Sequence, residues 1–162
     1  MKPKINVLVS WKQGDGIREY WLGINEKLKK YVKTTIVKNT NYPSINPIYF
    51  INLAKKSKKC DLLHIQHNYC LFGSLFKKIN SIYGWLYYSL VKFPKGPRII
   101  TTFHDIVESK KINFLKRIYL EFMNLPIKLF SDRIIIHNES AEKLLKEQGF
   151  NPNLIRIIPS GL

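Results

Sequence analysis

The feature that most constrains this chain is the order in which strand and helix signals alternate along it. Residues 5–9 (Ile-Asn-Val-Leu-Val) form a short apolar, β-branched run that reads as a buried strand. A glycine-bearing turn, Gln13-Gly14-Asp15-Gly16, follows it. From Ile17 to Tyr31, apolar residues recur at helical spacing through Tyr20, Trp21, Ile24 and Leu28. The same alternation then continues. Strands are expected at 34–37, 62–65, 98–103, 133–136 and 154–158, and helices at 45–54, 75–91, 113–130 and 139–148. The long helix carries Pro126, where a kink is expected.

Strands that alternate with helices must pair in parallel through right-handed crossovers. The expected fold is therefore α/β, a doubly wound parallel sheet of about six strands. A length of 162 residues with 45% hydrophobic content supplies one core, so residues 1–162 are read as a single domain. The commonest order for such a sheet is 3-2-1-4-5-6, with a switch point between the first and fourth strands. Ligands bind outside the carboxyl ends of the strands at that point. Those ends carry Gly14, Asp15 and Gly16 on one side and Phe103, His104 and Asp105 on the other.

Charge and cysteine content narrow the classes of function. The 27 Lys and Arg against 11 Asp and Glu give a formal net charge of +16, which draws a chain toward phosphate groups in lipid, nucleic acid or substrate. The basic residues are mostly lysines on helix-like segments, which reads as a solvated face, and no nucleic-acid recognition motif is present. Nucleic acid is thus not the expected partner. Cys60 and Cys70 make no disulfide framework and no signal-peptide pattern opens the chain, which fits a cytoplasmic setting. The most apolar stretch, 79–91, stops at Lys92, short of the ~20 residues of a membrane span. Its Tyr83, Trp85, Tyr87 and Tyr88, with Lys77, Lys78, Lys92 and Lys95 at the ends, leave open a peripheral contact with an anionic membrane, against the more frequent fate of core packing.

Several residues could carry chemistry. A strand, a glycine turn and a helix start together present backbone N–H groups to an anion, although Glu19 occupies the third glycine position of a dinucleotide fingerprint. A turn that needs glycine for its conformation explains Gly14 and Gly16 about as well. His104 sits where a substrate would lie and can hydrogen-bond or transfer a proton near neutral pH. His64, His67 and Cys70 match no zinc spacing, so no metal is expected. His64 is assigned to the sheet, and Gln66, His67 and Asn68 to the crevice or its bracing. Asn138 is a helix cap by default, and Asn138, Glu139 and Ser140 also lie at a carboxyl strand end.

The segments GDGIREYWLGINEKLKKY, DLLHIQHNYCLFGS, RIITTFHDI, RIIIHNESAEKLLKEQGF and IRIIPSGL, in that order, resemble the amino-terminal domain of the family-four (group 1) GT-B glycosyltransferases. The resemblance implies an acceptor-side, Rossmann-like lobe of a retaining transferase that moves a sugar from a nucleotide-sugar to a glycan or lipid-linked acceptor without metal or other cofactor. It implies that residues 14–16 approach the donor diphosphate and that His104 contacts the donor sugar at the reaction centre. Gln66, His67 and Asn68 would lie toward the acceptor, and Asn138 to Ser140 near the interdomain cleft. The carboxyl-terminal nucleotide-sugar domain is expected to be missing from these 162 residues and to act in cis or in trans. The chain alone is therefore expected to be inactive, because one lobe cannot orient and shield a donor. The competing reading is a non-catalytic module that binds a phosphorylated glycan or lipid carrier.

Overall fold

A computed structural model describes residues 2–11, 16–40, 45–75, 79–80 and 82–159. Its elements run β1 (Lys4–Ser10), α1 (Gly16–Leu28), β2 (Lys33–Asn39), α2 (Pro47–Ser57), β3 (Leu62–His67), β4 (Ser74–Leu75), β5 (Ile79–Asn80), α3 (Gly84–Lys92), β6 (Arg98–Phe103), α4 (Phe114–Phe130), β7 (Arg133–Ile136), α5 (Glu139–Glu147) and β8 (Ile155–Ile157). Six of the strands form one all-parallel sheet in the order β2-β1-β3-β6-β7-β8. The doubly wound α/β class is as expected. The order is not.

Numbered along the main sheet, the strands run 2-1-3-4-5-6 rather than 3-2-1-4-5-6, and the switch point lies between β1 and β3. Val7 of β1 pairs with Ile36 on one side and His64 on the other. The physical reason is legible in β2 itself. Its sequence KTTIVKN alternates exposed and covered residues and carries lysines at both ends, which suits an edge strand. The expected order would have buried β2 between two neighbours. The interior position falls instead to β3, whose Leu63, Ile65, Gln66 and His67 are all buried.

The step from β1 to β2 runs opposite to every later step. Right-handed crossovers then place α1 on one face and α2 to α5 on the other. Trp21 of α1 is buried against the sheet, edge-on to His64 with ring centroids 5.6 Å apart. On the opposite face α2, α3 and α4 pack in a row. The tyrosines of α3 are core residues. Tyr87 and Tyr88 are fully buried, the first donating to Ser57 Oγ at 2.6 Å and the second bonded to Thr101 Oγ1 at 3.1 Å. Core packing therefore accounts for two of the four aromatics that had left a membrane contact open.

The helix expected over 75–91 begins only at Gly84. Ser74 and Leu75 instead pair antiparallel with Asn80 and Ile79. The long helix α4 does contain Pro126, which cannot donate to the carbonyl of Phe122 four residues back. Trp85 Nε1 donates to that carbonyl at 3.1 Å, so a side chain from α3 replaces the missing backbone bond.

Candidate functional site at the carboxyl edge of the sheet

The carboxyl ends of β3 and β6, beside the switch point, converge on one polar chain. His104 follows β6, and its Nε2 lies 2.6 Å from Gln66 Oε1, at the end of β3. Gln66 Nε2 lies 3.1 Å from His64 Nε2, which is 2.7 Å from Thr102 Oγ1. With the amide oxygen toward His104 and the amide nitrogen toward His64, His104 donates from Nε2. His64 accepts at Nε2, a lone pair it shares with the Thr102 hydroxyl. Gln66 is completely buried, so its amide is a fixed bracket for the His104 ring. Backbone adds a second tie, His104 N–H to the His67 carbonyl at 3.2 Å.

The group that holds His104 is a neutral amide, not the carboxylate that would stabilise an imidazolium. Such a ring is suited to hydrogen-bonding a substrate hydroxyl in a fixed orientation. Two further residues complete its surroundings. Tyr20, half-buried on α1, stands edge-on to His104 and to His137, with centroids 5.3 and 5.4 Å away. The His104 and His137 rings are themselves 5.4 Å apart. His137 donates from Nδ1 to the Ile158 carbonyl at 2.9 Å, which leaves Nε2 as a buried acceptor without a hydrogen-bond partner among the described residues. Burial pushes the Tyr20 phenol above its ordinary range, so it stays protonated. The sequence signal for His137 was its place at the end of β7, one strand beyond His104.

An open pocket of about 210 Å³ lies beside this cluster, lined by His104, His137, Asn138 and Ser140 together with Phe103 and Ile106. A larger hollow of about 570 Å³ occurs at the opposite edge, between Leu62, Arg98, Asp132 and Arg133. It gathers no comparable set of hydrogen-bonding rings. The carboxyl edge is where the chemistry converges.

The other expected site residues divide. Gly14 and Asp15 lie outside the described residues. Gly16 opens α1; a Cβ there would meet nothing within 4 Å, and its φ is not in the left-handed region. Nothing among the described residues requires glycine at 16. Close by, Trp11 holds Arg18 over its ring at 4.9 Å and Lys38 at 4.2 Å, gathering two cations beside the start of α1. Neither cation was picked out from the sequence, because Lys38 reaches Trp11 only through the pairing of β1 with β2.

His67 is not on the crevice surface. It is 1% exposed, packed against Tyr69, Phe72 and Phe103, and neither ring nitrogen has a hydrogen-bond partner among the described residues. Burial, and secondarily the positive field of His104, lower it to about 3, and His64 to about 4. Both rings are neutral at pH 7. Asn68 accepts from the Cys70 N–H at 3.1 Å and shapes the loop after β3. That loop is tied to β2 by Asn39, whose Nδ2 donates to the Leu71 carbonyl at 2.7 Å. Asp105 and Glu139 are exposed. Asn138 caps α5, accepting from Ala141 N–H at 2.8 Å. Among the described residues, no group of three His, Cys, Asp or Glu side chains could hold a metal ion.

Residues 24–162 match the family model described as Glycosyltransferase Family 4. The chain belongs to that family. Its sheet is a Rossmann-like lobe of the GT-B kind, similar to one part of HepE from Anabaena. The HepE complex with UDP and glucose aligns at 11% identity with a TM-score of 0.63, over 99% of this chain and 45% of that one. The HepE complex with UDP-glucose aligns at 10% identity and 0.63, over 99% and 44%. At such identities the likeness is one of fold. The chain spans less than half the length of these structures. No curated protein matches it.

Proposed function

We propose that this family-four chain forms the acceptor-side half of a retaining glycosyltransferase active site. In that site a sugar passes from a nucleotide-sugar to a glycan or lipid-linked acceptor. The observation that carries the reading is His104, locked by the buried Gln66 amide at the carboxyl edge of the sheet. An imidazole held in that fixed pose can hydrogen-bond a hydroxyl of the donor sugar as the anomeric bond breaks. Tyr20 and His137 frame the pose. The open backbone at Gly16, with Arg18 and Lys38 gathered on Trp11, supports approach of the donor diphosphate from the α1 side. No metal is required by this arrangement. A nucleotide-sugar domain, in cis or in trans, supplies the facing wall. The reaction takes place on the cytoplasmic side, and the 162 residues alone turn over no donor.

The test is a transfer assay on the protein together with its donor domain, with a panel of labelled nucleotide-sugars. His104→Ala is expected to lower kcat by about 10²-fold or more with the circular dichroism spectrum unchanged. Unchanged turnover removes His104 from the site. Turnover by the isolated 162 residues removes the need for a second lobe.

A further inference from the structure

Helix α4 is apolar on two sides, and only one of them is covered. Leu120, Asn124 and Ile127 face the core. On the opposite arc Phe114, Leu115, Ile118, Phe122, Leu125 and Leu129 are exposed, Phe114 and Leu115 at 75% and Leu129 at 59%. At 100° per residue these six fall within one arc of about 100° that contains no polar side chain. The stripe runs the length of a 17-residue helix, about 25 Å. Aromatic residues widen it: Trp85 lies 6.1 Å from Phe122, and Phe93, itself 62% exposed, lies 5.9 Å from Phe130.

The surroundings of the stripe are basic. Lys116 and Arg117 are exposed in its first turns and Lys95 follows Phe93, while Lys110 and Lys111, which precede the helix, are paired with Glu147 and Glu108 at 2.8 Å each. The acidic residue on α4, Glu121, is paired with Lys128 at 2.6 Å. We propose that α4 is a membrane-docking helix that lays this stripe into the headgroup region of an anionic lipid surface, with the flanking lysines and arginine on the phosphates. A second copy of the chain fits the stripe less well, because it would bring two molecules of charge +16 together along their basic flanks. An anionic bilayer neutralises the same charges.

The topology gives docking a consequence for the site. A helix that crosses between parallel strands runs antiparallel to them, so α4 starts at the carboxyl edge of the sheet, where His104 lies. The most exposed end of the stripe, Phe114 and Leu115, is that end. A docked α4 holds the cleft near the lipid surface. This inference does not depend on glycosyl transfer and is tested without it.

The experiment is co-sedimentation with phosphatidylcholine vesicles, with or without phosphatidylglycerol, at low and raised salt. The protein should pellet with the anionic vesicles and remain in the supernatant with the neutral ones. Replacing Lys116 or Arg117 by Gln should weaken binding roughly fivefold each. The charge-preserving pair Leu115→Gln and Ile118→Gln should weaken it about tenfold. Both positions are exposed, so the fold should survive, as circular dichroism would verify. Failure of the parent protein to pellet overturns the proposal. So does undiminished binding by the glutamine pair, which would make the attraction purely electrostatic. So does a dimer in sedimentation velocity that the pair disperses while vesicle binding is absent, which would assign the stripe to a second copy.

Discussion

Replacing His67 by Phe should remove a large part of the acid sensitivity of the fold. In the native state the ring is buried among three aromatics, without a hydrogen-bond partner for either nitrogen among the described residues, and its value is lowered to about 3. In the unfolded chain a histidine titrates near ~6.5. Between these values the unfolded state binds a proton that the folded state refuses. The contribution of His67 is thus fully present above pH ~6.5 and is lost as pH falls through that value toward about 3. At about 1.36 kcal/mol per pH unit, the fall from pH 7 to pH 5 costs about 2 kcal/mol at this one residue. Phenylalanine has no such term. Its packing cost or gain in the pocket is independent of pH and cancels when each protein is compared with itself. Urea unfolding at pH 7 and pH 5, followed by circular dichroism, should show the variant losing about 2 kcal/mol less than the parent. Equal losses would mean that His67 titrates in the folded state and is not sealed as described.

Three further outcomes follow from packing. Trp85→Phe should cost about 1 kcal/mol by leaving the Phe122 carbonyl without its donor, and much less in a Pro126→Ala background, where residue 126 regains an N–H; additive effects in thermal melts would refute the substitution of indole for backbone. Gly96→Ala should destabilise by about 2 kcal/mol or more, because a Cβ would come within 2.7 Å of Lys92 Cα and closer still to the Val91 carbonyl; an unchanged urea midpoint would contradict that geometry. Asn138→Ala should cost about 1 kcal/mol through loss of the α5 cap, and a neutral result by chemical denaturation would show that Ala141 N–H finds water instead.

What the sequence revealed of this molecule depended on whether the information was local. The α/β class followed from periodicity, and strands such as Arg98–Phe103 and Arg133–Ile136 lie where their β-branched runs place them. The order of those strands depended on which ones tolerate two neighbours. The lysines of β2 already answered that question, since a strand written KTTIVKN belongs at an edge. Moving the switch point from β6 to β3 also changes what His104 touches: the partner at 2.6 Å is Gln66, on the strand now adjacent. His104 itself was legible as a polar residue ending an apolar strand. Its bracket was not, because Gln66 and His104 are 38 residues apart and meet only through the pairing of β3 with β6. The same holds for Tyr20 and His137, and for Lys38 on Trp11. The aromatic run of α3 left its two fates open for a related reason. Composition marks an apolar helix but not which side the sheet covers, so Tyr87 and Tyr88 proved to be core while the uncovered stripe lies one helix further on. An apolar face that the fold leaves bare along one helix is therefore better evidence for a surface partner than the richer aromatic run beside it.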